Sequence, residues 1–363
     1  PAPVPAPAPA PAEVTAKVRG RVQFDGLALN DGDNPSPTGT QVRRFYLGAE
    51  GKIAPSLRYQ AEADLAGNKV ALQDVLIGYQ ATPTTELLVG YFKPPVTNDD
   101  ATSDTYTLFL ERSAYAGVFA PGRRVGVGVN HMAGGVALRG GIFSEREDAS
   151  LDVDRKEGWV VSLRGSGDLL PGTDVLHAAL SAYYVEPSAT DGAVTFAQKP
   201  ETNRAPTVID TGGFVADHGA FVGGELGFSH GPLLVQAEGG VLRWDGSVIG
   251  PRLWGWSAQA SWRLTGETRP YDPKSGTFGR VTPARGWTDG GSGAVEAGVR
   301  LTEVDLNDDG LRGGHLTTYG VVVNWYPVTH LRIGANLIQA RVEKPAAPDL
   351  EHTLLTVRGA VDW

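Results

Sequence analysis

The sequence contains no cysteine and one methionine, which fits a cell-envelope protein that avoids unpaired thiols. It has no run of about 20 apolar residues, which excludes a membrane-spanning helix. With a net charge of −9 it has no basic excess, which argues against a nucleic-acid-binding protein. It shows no secretory leader, but it begins at Pro1 rather than Met, so we expect a mature or trimmed chain.

Signatures of catalysis are also missing. The histidines are scattered and no two stand at metal-ligand spacing; they are His131, His177, His218, His230, His315, His330 and His352. No nucleophile elbow and no phosphate-binding glycine loop stands between a strand and a helix. We therefore expect that the protein is not an enzyme.

What the sequence does have is strict alternation of apolar and polar residues. In the last segment one face carries Thr353, Leu355, Val357, Gly359, Val361 and Trp363, and the other carries Thr356, Arg358 and Asp362. Between Arg43 and Gly51, Phe45 and Leu47 alternate with Arg44 and Tyr46 in the same way. One face suits lipid and the other suits water, as in a strand that crosses a membrane.

Sixteen such segments predict an all-β protein, a transmembrane antiparallel β-barrel of about 16 strands. They are residues 15–29, 39–53, 56–66, 69–82, 84–92, 123–133, 134–146, 156–168, 173–186, 220–230, 231–245, 252–266, 292–305, 312–326, 328–343 and 350–363. A mean hydropathy of −0.17 is compatible with this fold, because only alternate residues meet lipid and every backbone group is paired around the ring.

The connections predict how the lumen is narrowed. With both termini in the periplasm, short turns rich in Pro and Gly fall on the inner side, and the long connections 93–122 and 187–219 fall on the outer side. We expect the long third loop to fold inward as a constriction. Residues 267–291 are an exception, because this long connection falls on the inner side.

Residues 1–14 form a separate region in front of the barrel, which we expect to span residues 15–363. Pro alternates there with Ala or Val, which favours an extended chain that cannot bury a core. We interpret it as a periplasmic tail or tether, with peptidoglycan or a periplasmic protein as its partner, or as a tail with no partner.

Aromatic residues near the strand ends predict interfacial girdles. They are Tyr79, Tyr91, Trp244, Trp262, Trp325, Tyr326 and Trp363.

Basic residues predict a path for anions. Arg19, Arg21, Arg44 and Arg58 lie on the polar faces of early strands, and Arg112, Arg123 and Arg124 flank the third loop. Guanidinium groups that face the lumen can pass an oxyanion from one bidentate site to the next. Alternation assigns Arg43 to the lipid side or the rim. The open alternative is that Glu50, Glu62 and Asp64 oppose these cations in a general pore.

A weak calcium motif lies near an outer turn. Asp305, Asn307 and Asp309 place oxygen side chains at alternate positions before Gly310, but Leu316 stands where the bidentate Glu belongs. A turn rich in Asp, Asn and Gly is also typical of an ordinary hairpin. No other cofactor is indicated.

Six short motifs, whose order and spacing span almost everything from residue 15 to 363, resemble the phosphate-selective porin family, that of porins O and P. They are the segments 43–48, 90–94, 111–113, 120–123, 264–267 and 324–326. The resemblance implies a trimeric sixteen-stranded barrel, narrowed by two outer loops and one inward-folded periplasmic turn, with an arginine-lined path. It matches Arg43 and Arg44 to an arginine pair near the constriction, and it places Lys93, Asp99 and Asp100 in the constriction loop.

We therefore predict a porin of the bacterial outer membrane that passes small anions, with phosphate or polyphosphate as candidates. The predicted path residues are Arg21, Arg43, Arg44, Arg58, Lys93, Arg112, Arg123 and Arg124. The expected partners are outer-membrane lipid, lipopolysaccharide and two further copies of the chain, and no nucleic acid. Two interpretations stay open: a general or carbohydrate-passing porin, and a structural protein whose barrel anchors the Pro/Ala tail.

Overall fold

Sixteen strands close into one antiparallel barrel. The computed structural model describes residues 14–30, 38–145, 157–170, 172–188, 193–246, 249–308, 310–345 and 348–363. Within them each barrel strand pairs with the one before it along the chain, and the first pairs with the last through Arg21 and Asp362. The predicted fold class and strand number are confirmed.

We number the barrel strands in chain order. They are β1 Lys17–Asn30, β2 Thr38–Ala54, β3 Leu57–Asp64, β4 Ala71–Thr82, β5 Thr85–Phe92, β6 Arg124–Ala133, β7 Val136–Ser144, β8 Trp159–Asp168, β9 Val175–Glu186, β10 His218–His230, β11 Leu233–Asp245, β12 Ile249–Arg263, β13 Ala294–Asp308, β14 Leu311–Val328, β15 Leu331–Glu343 and β16 Leu350–Asp362.

Alternation places apolar side chains outside the barrel and polar ones inside, as β16 illustrates. Leu355 and Val357 are each 45% exposed on the outer wall, whereas Arg358 between Val357 and Gly359 is 2% exposed and points inward. The outer wall therefore presents an apolar surface to lipid while the barrel interior is polar.

Turn chemistry explains the short connections. Gly134 and Gly135 join β6 to β7 with φ of +56° and +86°, the left-handed values that a two-residue hairpin of this kind requires. Like the turns at Pro55 and Pro83, this turn lies at the end of the barrel where the chain termini lie. The expected pattern of short turns at that end is found.

Three long connections fold into the barrel. We call them the first inward loop (residues 93–123), the second inward loop (residues 193–217) and the inward turn (residues 264–293). The first loop carries two short helices, α1 Asn98–Ala101 and α2 Ala114–Phe119. The inward turn lies at the terminal end, so the long connection that the sequence placed there is real. No helix among the described residues is long and apolar enough to cross a membrane.

An aromatic core holds the first inward loop against one side of the barrel. Phe119 of α2 stacks on Phe221 of β10 with ring centroids 5.9 Å apart, and Phe221 stacks on Tyr183 of β9 at 4.9 Å. These rings are buried inside the barrel rather than at its lipid surface. These packed apolar side chains occupy part of the space that the strands enclose, so the space left for solutes is narrower than the barrel itself.

A β-bulge overturns the placement of Arg43 on the lipid side or the rim. In the pairing of β1 with β2, Gln23 faces Arg44 and Phe24 faces Val42, so Arg43 is the extra residue. A bulge turns two successive side chains to the same face. Arg43 therefore points inward beside Arg44, and strict alternation resumes at Phe45.

Two of the seven aromatic residues assigned to girdles point inward. Trp244 is 3% exposed and packs on Phe196 and Phe214 of the second inward loop. Tyr326 is buried beside the inward turn and donates to Glu296. By contrast, Tyr79, Trp262 and Trp363 are exposed on the outer wall. The inward segments create apolar surface inside the barrel, so an aromatic residue at a strand end can face either way.

Two predicted features lie partly or wholly outside the described residues. The tail is described only at Val14, and Asp309 of the calcium motif is not described. Asp305 accepts from the backbone and side-chain N–H groups of Asn307, each at 2.9 Å, as in an ordinary Asx turn. Among the described residues, no group of three or more His, Cys, Asp or Glu side chains could hold a metal. The calcium site stays a prediction.

Candidate functional site: the barrel lumen

The lumen is filled on one side and open to water on the other. Many inward side chains of β8–β16, such as Arg164, Glu296 and Thr302, are essentially fully buried under the inward segments. Some polar inward side chains of β3–β7, such as Gln60 and Arg139, remain partly exposed inside the barrel, although Leu76 and Phe143 are buried. We therefore take the space along the wall formed by β3–β7 as the candidate passage for solutes, and call it the passage.

The first inward loop is fixed to the wall by carboxylates that meet arginines. Asp104 pairs with Arg21 and lies 3.0 Å from Arg44 Nε. The Arg21 guanidinium also lies 4.2 Å from the ring centroid of Tyr46. Burial would raise the pKa of Asp104, but Arg44 and Arg21 hold it well below its usual range. The ion pairs at Asp104 therefore persist far into the acid range.

Glu111 is the second anchor of this loop and meets three arginines. Its carboxylate lies 2.7 Å from Arg43, 3.3 Å from Arg44 and 2.6 Å from Arg358 of β16. Burial would raise the pKa of Glu111, but Arg44, Arg358 and Arg43 hold it well below the usual value. Glu111 therefore stays charged and keeps the loop against β2 and β16.

A second group of arginines binds the loop through its backbone. Arg332 of β15 donates to the carbonyls of Thr107 and Leu108 at 2.8 and 2.7 Å. Arg300 of β13 donates to the Glu111 carbonyl at 3.1 Å. These guanidinium groups are buried and occupied by the loop, so they hold its position rather than line the water-filled passage.

The inward turn meets the first inward loop in the middle of the lumen. Asn98 of α1 donates to the Gly276 carbonyl at 2.9 Å, and Arg164 donates to the same carbonyl at 3.1 Å. Arg269 of the turn donates to the Tyr106 carbonyl at 2.5 Å and pairs with Glu296 at 2.7 Å. The first inward loop comes from one end of the barrel and the inward turn from the other, and together they block this side of the lumen.

Three cations stand where the first inward loop borders the open passage. Lys93 and Arg112 share Asp100, at 2.5 and 3.4 Å, and Arg123 lies beside them with Asp74 at 3.0 Å. Burial, together with the charges of Arg112 and Arg123, lowers the pKa of Lys93 to about 8 against the opposing effect of Asp100. We call Lys93, Arg112 and Arg123 the cation cluster.

Further along the passage, basic and acidic side chains alternate. Arg58 of β3 pairs with Glu86 of β5, and Glu86 also accepts from Asn130 at 3.1 Å. Arg139 of β7 donates to Asn130 at 3.1 Å. This wall offers both signs of charge, so the cation cluster is the clearest local concentration of positive charge on the passage.

The structure divides the predicted path residues into two groups. Lys93, Arg112 and Arg123 come together at the end of the first inward loop that borders the passage, and Arg58 lies on the wall of β3. Arg43 is paired with Glu111 and 18% exposed, and Arg124 begins β6. Arg21 and Arg44 are instead buried in ion pairs with the loop.

Sequence reasoning missed the arginines that hold the inward segments. Arg164, Arg269, Arg300 and Arg332 were not selected as functional residues, although the strand members among them occupy inward positions of the alternation. An arginine at an inward position of a strand is the signal that would have found Arg164, Arg300 and Arg332.

A closed sixteen-stranded barrel with a charged lumen narrowed by inward loops defines the protein as a porin of the bacterial outer membrane. The chain belongs to the family described as phosphate-selective porin O and P, whose model matches residues 15–363. A relative from Caulobacter vibrioides, described as an uncharacterized protein, is 30% identical over 341 residues, which cover 88% of this chain and 67% of the relative.

Solved porin structures share the fold at low sequence identity. An anion-selective porin from Comamonas acidovorans has a TM-score of 0.61 at 12% identity, covering 97% of this chain and 100% of that one. The outer-membrane channel DcaP of Acinetobacter baumannii has a TM-score of 0.60 at 10% identity, covering 96% and 97%. OmpT of Vibrio cholerae in its trimer form has a TM-score of 0.57 at 12% identity, covering 96% and 99%.

Proposed function

We propose that this porin passes small solutes by diffusion with a preference for anions, and that a permeating anion binds transiently at the cation cluster. The observation that carries this proposal is the placement of Lys93, Arg112 and Arg123 beside the open side of the lumen. The Lys93 ammonium group and the Arg123 guanidinium group can replace part of the hydration of an oxyanion. Arg112 adds positive charge beside them, while its guanidinium donates to the Asp99 and Thr102 carbonyls at 3.0 and 2.9 Å. Phosphate and other small oxyanions are the candidate solutes.

Weak binding is needed for conduction, and the neighbouring carboxylates supply it. Asp100 and Asp74 already pair with members of the cluster, at distances of 2.5 to 3.4 Å. An entering anion must compete with them, which keeps its residence short. A channel conducts when binding is favourable enough for entry and weak enough for release.

We also propose that the channel works as a homotrimer and has no catalytic activity. The trimer form of the OmpT structure supports the first statement. The second is supported by family membership and by ionisable groups in the lumen that are paired with each other or with loop carbonyls. Chemical cross-linking in detergent would test the oligomer, with three subunits as the expected product.

The ion preference is tested by reversal potentials in a planar bilayer under a KCl gradient, followed by titration with inorganic phosphate. We expect the wild-type potential to have the sign of anion preference and the chloride current to fall as phosphate is added. Lys93→Gln should move the potential towards zero. Lys69→Gln is the matched control, because Lys69 is exposed in the connection between β3 and β4.

A large current that is indifferent to phosphate and to Lys93→Gln would overturn the anion preference. It would leave a general porin, which the alternation of charges near Arg58 and Glu86 would then explain. Absence of any current from correctly folded protein would contradict the channel itself.

A further inference from the structure

Glu201 of the second inward loop links three parts of the lumen that are far apart in sequence. Its carboxylate accepts from the backbone N–H of Ala114 and from the hydroxyl of Thr318, each at 3.0 Å. It also forms an ion pair with Arg300. One side chain of the second inward loop thus holds the first inward loop, β13 and β14 together.

The contacts of Arg300 extend this link towards the passage. Its guanidinium donates to the Glu111 carbonyl at 3.1 Å and lies 4.1 Å from the ring centroid of Phe109. The side chain of Glu111 in turn meets Arg43 at the edge of the passage. A continuous series of contacts therefore runs from Glu201 through Arg300 and Glu111 to Arg43.

The backbone at Glu201 indicates that its position is imposed by these contacts. Its φ of +53° lies in the left-handed region, which a residue with a long side chain rarely adopts. The side chain is buried, and both carboxylate oxygens are occupied. A charged group can be buried in this way only when its partners replace the lost water, so loss of any one partner weakens the whole cluster.

We propose that Glu201 is the positioning residue through which the second inward loop holds the first in place and thereby sets the width of the passage. The first inward loop has other anchors, but they act elsewhere in the loop. Asp104 and Glu111 reach β1, β2 and β16, and the carbonyls from Tyr106 to Leu108 meet Arg269 and Arg332. Around the N-terminus of α2 it is Glu201 and Arg300 that hold the loop. Loosening this end moves the loop backbone at Glu111, and with it the side chain that orients Arg43. The proposal concerns loop position and does not depend on the ion preference.

Single-channel recording of the full-length protein tests this proposal. Glu201→Ala and Arg300→Gln should each replace the steady open level by transitions among several levels. The double variant should resemble either single variant, because residues that act as one unit are not additive. Glu201→Gln keeps acceptors for Ala114 and Thr318 but loses the charge that faces Arg300, so it should show fewer transitions than Glu201→Ala.

Glu343→Gln is the matched control, because Glu343 ends β15 on the exposed outer surface and touches none of the inward segments. Circular dichroism and oligomer state check folding in every case. Should Glu201→Ala fail to fold, the comparison of Glu201→Gln with Glu343→Gln decides the question. A steady wild-type current from folded Glu201→Ala, or equal currents from those two glutamine variants, would overturn the proposal.

Discussion

Arg43 and Arg44 are adjacent in the chain, yet both guanidinium groups reach the carboxylate of Glu111, at 2.7 and 3.3 Å. The bulge in β2 makes this possible, because it turns Arg43 to the inner face without changing the register beyond Phe45. The two arginines nevertheless differ in surroundings. Arg44 is buried among Gln23, Asp104 and Glu111, while the Arg43 side chain is 18% exposed.

We expect Arg44→Gln to destabilise the protein more than Arg43→Gln. Removing one partner of a buried pair leaves an uncompensated charge, so the loss for Arg44→Gln should be about 3 kcal/mol, at the low end for buried pairs. Arg43→Gln should cost less, because the Arg43 side chain is 18% exposed and Glu111 keeps Arg44 and Arg358 as partners. Urea unfolding in lipid vesicles, followed by tryptophan fluorescence, measures both. Equal losses would contradict the different surroundings that the structure gives them.

The anion preference should fall as pH rises through about 8. Burial, with the nearby Arg112 and Arg123, lowers the pKa of Lys93 to about 8, so its ammonium group loses its proton well below the usual range for lysine. Above that pH the cation cluster loses one charge while Asp100 remains ionised. Reversal potentials measured between pH 6 and pH 10 should show the change, and Lys93→Gln should abolish it. A constant potential in the wild-type protein would show that Lys93 does not contribute to selectivity.

The alternation of apolar and polar residues predicted the barrel, because one face of each strand meets lipid and the other faces the polar interior. It could not predict Arg43, since a bulge interrupts the alternation without any local signal. It also could not predict that Trp244 points inward, because Phe196 and Phe214 of the second inward loop provide an apolar surface inside the barrel. Where apolar side chains pack inside the barrel, two adjacent residues of a strand can both be apolar. Leu354 is buried inside, and Leu355 is exposed outside. The contacts among the inward segments join residues as far apart as Asn98 and Gly276, which are 178 positions apart, and strand patterns do not encode such contacts.

The tryptophans should divide into two groups by their access to lipid. Trp262 is 49% exposed on the outer wall, whereas Trp244 lies inside the barrel against Phe196 and Phe214. Brominated lipid quenches indole emission only by contact, so Trp262→Phe should reduce the quenchable part of the fluorescence. Trp244→Phe should leave the quenchable part unchanged and reduce the protected part. The reverse result would mean that the face assigned to β11 or β12 is wrong.

Arg269 should control how firmly the inward turn closes the terminal end of the lumen. It joins three elements, because it pairs with Glu296 of β13 at 2.7 Å and donates to the Gly279 and Tyr106 carbonyls at 2.9 and 2.5 Å. Arg269→Gln leaves the buried Glu296 carboxylate with only a distant contact to Arg263, at 3.8 Å, and a hydroxyl donor. We expect the turn to detach from the first inward loop, which would raise the single-channel conductance and expose the turn to proteases added from the terminal side.

Arg285 supplies the matched control for this change within the same turn. It is largely exposed and donates to the Asp289 carbonyl at 2.8 Å, without touching the first inward loop. Arg285→Gln should therefore keep wild-type conductance and protease resistance. If both variants behave alike, the closure of the filled side does not depend on Arg269. If only Arg269→Gln changes, the inward turn and the first inward loop close the lumen jointly, as their shared contacts at Tyr106 and Gly276 predict.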